Sequence, residues 1–115
     1  MTQKEITING KTYPIVFNLK TMVGYEDIIG RSFFGEKFEK LHERIALVIA
    51  AIYAADEDAG ITSDDILKND SWESAKQVIE AFTAVILLSK EFFKIPEVEQ
   101  KGSEEAKEKE QDAKN

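Results

Sequence analysis

The chain contains no cysteine. Disulfides and thiolate metal sites are therefore excluded, and a reducing cytoplasm is a compatible setting. Histidine occurs once, at His42, and proline only at positions 14 and 96. No apolar run is long: "IALVIAAIYAA" fills 45–55 and "AFTAVILL" fills 81–88. A membrane span needs about 20 apolar residues, so both runs read as buried helix. No cluster of lysine and arginine forms a basic face. Fifteen basic residues stand against 22 acidic ones, a net charge of −7. Nucleic-acid binders gain affinity by neutralising phosphates, so this balance argues against that class. The opening "MTQKEITING" is polar and strand-like, which predicts no secretory leader.

The 115 residues, 43% hydrophobic and 32% charged, have the composition of one soluble globular domain. The expected fold is α+β and mainly α. An N-terminal β-hairpin packs on a small bundle of about four helices over residues 1–96, and an acidic, flexible tail follows over 97–115. That tail holds seven acids and four lysines, and no large apolar residue follows Val98.

The hairpin is expected over 4–17, in "ITINGKTYPIVF". Asn9-Gly10 suits a type I′ turn, whose two central positions both need positive φ. A two-residue turn pairs Ile8 with Lys11, Ile6 with Tyr13 and Lys4 with Ile15. Ile6, Ile8, Tyr13, Ile15 and Phe17 then share one apolar face, opposite Glu5, Thr7 and Thr12. Pro14 has no N–H and blocks a third strand beside it. Two strands alone are marginal in water, so this face must lie on helices.

Asn18 can cap a helix over 19–30, and Gly30 suits its C-cap. Leu19, Met22, Val23, Tyr25, Ile28 and Ile29 give that helix a broad apolar side. "GRSFFG" then reads as a helix end, a connection and a new start. A phosphate loop fails here: five residues separate Gly24 from Gly30, and arginine stands where lysine is needed. The spacing of Phe34, Phe38, Leu41, Ile45, Val48 and Ile52 predicts a second helix over 36–55. Its alanines at 46, 50, 51, 54 and 55 permit close approach of a neighbour. Thr62 or Ser63 can cap a short helix over 63–68, with acids in its first turn. Ser71 opens a last helix over 72–94, with a stripe of Trp72, Ala75, Ile79, Phe82, Ile86 and Phe93. Val78, Val85, Leu88 and Phe92 widen that stripe, and Pro96 stops the helix.

Candidate chemistry is sparse. His42 has no second ligand type beside it, and a surface position explains it better than catalysis or metal binding. Asp56, Glu57, Asp58, Asp64, Asp65 and Asp70 crowd one stretch. A calcium loop opening at Asp56 would need glycine at its sixth place and an acid at its twelfth, where Ile61 and Leu67 stand. No nucleophile-elbow or zinc-protease motif occurs. The reading is a non-enzyme with no catalytic, metal or cofactor residue. The surplus is apolar. Either the last helix is central and wrapped by the others, or its end offers a partner or self-association surface at Phe92, Phe93 and Ile95.

"ITINGKTYPIVFNLKTMVGYEDIIGRSFF", followed by an alanine-rich helix ending "YAADEDAGIT", the "SDDIL" helix and a final amphipathic helix, resembles tail assembly chaperones of long-tailed bacteriophages and prophages. The resemblance spans 5–95 as a pattern. It makes "GRSFF" an architectural junction: Gly30 ends one helix, Ser32 caps the next, and Phe33 and Phe34 anchor it in the core, with Asn9 and Gly10 turning the hairpin. The activity it implies is binding the tape-measure protein and tail-tube subunits in the host cytoplasm, without entering the finished virion. Self-association is compatible with it; nucleic acid and membrane are not partners. The alternative class is a structural tail-completion subunit or small interaction module. The resemblance also implies, in some members, a longer frameshifted product. Ala113-Lys114-Asn115 is compatible with a slippery heptamer, which the gene sequence would reveal.

Overall fold

A computed structural model describes residues 3–94. Two antiparallel strands, β1 (Gln3–Ile8) and β2 (Lys11–Val16), precede four helices: α1 (Leu19–Ile29), α2 (Leu41–Ala55), α3 (Ser63–Leu67) and α4 (Trp72–Phe92). The architecture is α+β and mainly α, as expected. Ile95, Pro96 and the tail expected over 97–115 lie outside the described residues.

The hairpin has the expected register, with Ile8 opposite Lys11, Ile6 opposite Tyr13 and Lys4 opposite Ile15. Asn9 and Gly10 carry φ of 52° and 80°, the positive pair that a type I′ turn requires. Ile6, Ile8, Tyr13, Ile15 and Phe17 are all buried. Asn18 caps α1 by accepting from the Thr21 amide at 3.1 Å, and the Thr21 hydroxyl closes the reciprocal half by accepting from the Asn18 amide. Gly30 ends α1 in the left-handed region, at φ 85°. Thr62 caps α3 and Ser71 caps α4.

The central helix is α2. Residues 45–52 are buried without a break, because α1, the hairpin and α4 cover it from different sides. The α1 side comes closest at Gly24, where an added Cβ would stand 3.3 Å from the Ala50 Cβ. The alanines of α2 thus admit a neighbouring helix, as their size suggested.

Three expectations about the helices need correction. The last helix is not the wrapped one: it buries Ser74, Val78, Ala81, Val85 and Leu88, while Trp72 is 77% exposed and Ile79 is half exposed. Sequence periodicity finds the helix but sets its main stripe about one position out of phase, whereas Val78, Val85 and Leu88, expected to widen that stripe, are buried as expected. The second helix begins at Leu41 rather than 36. Positive φ at Gly35 and Phe38 breaks any helical path through 36–40. Finally, Ser32 does not cap it. The Ser32 hydroxyl accepts from the Phe34 amide at 3.2 Å within the connection. Glu43 reaches back to the Lys40 amide at 3.0 Å and starts α2 instead.

Candidate functional site

The connection from Gly30 to Leu41 folds around an arginine. Arg31 donates Nε to Glu36 Oε2 at 2.9 Å and Nη2 to Glu36 Oε1 at 2.8 Å. Nη2 also donates to Glu43 Oε2 on α2, and the Tyr25 hydroxyl on α1 donates to Glu36 Oε1. The forked guanidinium therefore ties α1, the connection and α2 together. Hydrogen bonds from Arg31 and then Tyr25 hold the Glu36 carboxyl below the usual glutamate range. The Lys40 amide, then Arg31, does the same for Glu43. Burial, and then the Glu36 carboxylate, pushes the Tyr25 phenol well above its ordinary value. These shifts fix each group in one protonation state near neutrality, which suits a structural clamp better than proton transfer.

That clamp presents aromatic rings. Phe38, held in the left-handed region with its carbonyl accepting from Arg44 Nε at 2.7 Å, packs on Tyr25, Phe33 and Phe82. Phe33 packs on Tyr25 at 5.9 Å and on Phe17 at 5.8 Å. From the far end of the chain, Phe92 and Phe93 reach the same Phe17 ring at 5.5 and 5.7 Å. All seven phenylalanines thus belong to one connected band. Tilted and edge-to-face pairs of this kind add to the stabilisation from burial alone.

The band ends in solvent. Phe34 is 70% exposed, Phe93 47% and Phe92 41%. Phe34 was expected in the core beside Phe33. Instead Phe33 alone turns inward, and Phe34 stacks edge-on against it at 5.7 Å. The connection that resembles an architectural junction therefore also supplies an exposed ring. Phe92 and Phe93, expected as partner residues, are half-packed on Phe17 rather than free-standing. A groove of about 630 Å³ leads away from Phe92 past Val16, Leu19, Ala54 and Ala55.

His42 lies exposed in the first turn of α2. Among the described residues, no three His, Cys, Asp or Glu side chains are grouped to hold a metal ion. No described helix is long and apolar enough to cross a membrane.

Asn9 does more than turn the hairpin. Its Nδ2 donates to the Asp65 carbonyl at 3.1 Å, and its Oδ1 accepts from Asn69 Nδ2 and Ser74 Oγ, both at 3.1 Å. Its backbone N–H donates to Gln77 Oε1 at 2.6 Å. The hairpin tip is thereby tied to the α3–α4 corner, by partners 56 to 68 residues away that no local pattern signals. Comparison of the chain with family models, curated proteins and solved structures finds no match.

Proposed function

We propose that this chain is a tail assembly chaperone of a long-tailed phage or prophage, a non-enzymatic binding protein of the host cytoplasm. In this reading it holds the tape-measure protein in solution and brings it to tail-tube subunits. The observation that carries the reading is the set of exposed rings Phe34, Phe92 and Phe93, which are the solvent ends of one aromatic band running through Phe33 and Phe17. A long helical ruler exposes apolar stripes before a tube encloses it, and such stripes aggregate. Three phenylalanine rings around a fixed aromatic base offer a stripe a place to dock, by helix-on-groove packing. The net charge of −7 keeps the loaded partner dispersed. In this reading the rings take up the apolar face of a ruler helix, which continues along the Phe92 groove.

The test is co-expression of the full chain with the tape-measure protein of the phage or prophage that carries its gene, read as the soluble fraction of that protein. The wild-type chain should keep it soluble. Phe34→Glu and the triple change at Phe34, Phe92 and Phe93 to Glu should not. Phe34 is too exposed for its replacement to unfold the domain, so the single variant separates lost binding from lost fold. A ruler that stays insoluble beside wild type, or stays soluble beside both variants, refutes the proposal. Recovery of the chain from purified virions would point to a structural tail subunit instead.

A further inference from the structure

The hairpin has two outer edges, and they are not alike. A two-residue turn makes Ile8–Lys11, Ile6–Tyr13 and Lys4–Ile15 the pairs that exchange hydrogen bonds. The outward groups of β2 are then those of Thr12, Pro14 and Val16. Pro14 has no N–H, and the Val16 carbonyl already accepts from the Thr21 hydroxyl at 2.9 Å. That edge is closed. On β1 the outward groups are those of Gln3, Glu5 and Thr7, all exposed, in a sheet of only two strands. Among the described residues no hydrogen bond reaches them.

Beside this open edge runs a groove of about 270 Å³, floored by Ala81 and Ala84 of α4 and flanked by Glu5, Thr7, Gln77 and Glu80. The two alanines leave room above α4 where larger side chains would fill it. The two glutamates make the rim acidic. We propose that the β1 edge is a docking site for an extended segment of another protein, with alternating apolar and basic residues, which adds as a third strand. Backbone groups of Gln3, Glu5 and Thr7 pair with the segment. Its apolar residues settle over Ala81 and Ala84, and its lysines or arginines lie on the face of Glu5. A second copy of this chain is a poor occupant: the antiparallel register that uses all three outward residues sets Glu5 directly against Glu5, and facing like charges destabilise. The edge touches the Phe92 groove only through Gln3, while Glu5 and Thr7 border the separate groove on α4, and the proposal stands whether or not the patch binds a ruler.

The probe is a blocked seven-residue peptide alternating valine with lysine, titrated into the full chain, with a valine–glutamate peptide as control. Amide shifts and hydrogen exchange are followed by residue. The lysine peptide should protect the Glu5 and Thr7 amides and bind at least about ten-fold more tightly than the control, since charge and backbone both contribute. Glu5→Pro removes an outward N–H without removing a hairpin bond, and should weaken binding by about ten-fold. Glu5→Gln with Glu80→Gln keeps the backbone intact. That variant should lose the preference for the lysine peptide while retaining wild-type melting. The proposal is overturned by any of four results: no binding at millimolar peptide, equal binding of both peptides, perturbation confined to Phe34, Phe92 and Phe93, or concentration-dependent protection of the β1 amides without peptide, which would mean self-pairing.

Discussion

Replacing Asn9 by glycine separates its two jobs. Glycine accepts the φ of 52° at this position, so the type I′ turn survives. The backbone N–H that donates to Gln77 also survives. What disappears is the side chain, with its three hydrogen bonds to the Asp65 carbonyl, Asn69 and Ser74. A net hydrogen bond is worth about 0.5–1.5 kcal/mol, so three give an upper bound of about 4.5 kcal/mol. Two of them lie at the surface, where water replaces the lost partner, and these belong at the low end. The third leaves the hydroxyl of buried Ser74 without its acceptor, which belongs at the high end. Added backbone freedom in the unfolded glycine variant costs a few tenths to about 1 kcal/mol more. The expected total is about 3–3.5 kcal/mol.

Urea unfolding of wild type and Asn9→Gly, followed by far-UV circular dichroism, measures this directly. The slope with denaturant should not change, because the native surface is nearly the same. A cycle with Ser74→Ala isolates the one buried bond, with a coupling of about 1 kcal/mol expected. A destabilisation under about 0.5 kcal/mol would refute the reasoning. The turn would then be all that Asn9 contributes, and the tie to the α3–α4 corner would carry no energy.

The Arg31 clamp makes stability pH-dependent in a fixed direction. Glu36 and Glu43 have folded pKa values below the ordinary glutamate value of 4.5, so their contribution is complete above that value and is lost as pH falls through the lower folded ones. Arg31→Met should therefore lower the melting temperature at pH 7, and the gap from wild type should narrow below about pH 4; a gap of equal size at pH 3 and pH 7 would show that the ion pairs are not its source. In the core, Tyr13→Ala should cost about 2–4 kcal/mol in the same urea assay, because Tyr13 is buried on the inner face of the hairpin. A loss under about 0.5 kcal/mol would mean that the face is not packed.

Where local chemistry decided the outcome, the sequence was legible. Asn18, Gly30, Thr62 and Ser71 each act within a few residues of themselves, as Asn9-Gly10 does in turning the hairpin, and each does there what its type suggests; the long-range bonds of Asn9 had no local signal. The failures share a cause. Phe34 and Phe38 fit the apolar period of α2, but period says nothing about whether the backbone between them can stay helical. That was decided by Gly35 and Phe38 at positive φ, and by Arg31 reaching 12 residues ahead to Glu43. Trp72 and Ile79 fit the period of α4, yet which side of a broadly apolar helix faces inward depends on the neighbours. Here those neighbours are the hairpin and α2. The exposed aromatic patch was half visible for the same reason. Phe92 and Phe93 stood out as surplus at a helix end, whereas Phe34 joined them only through Phe33 and Phe17. The connection that follows Gly30 is thus shaped twice over. Arg31, Glu36 and Glu43 fix its path, and that fixed path holds Phe33 inward so that Phe34 must stand out. Loosening the clamp would release the outer ring as well as the fold beneath it, so variants at Arg31 should lower stability and, in the proposed function, also weaken docking on Phe34.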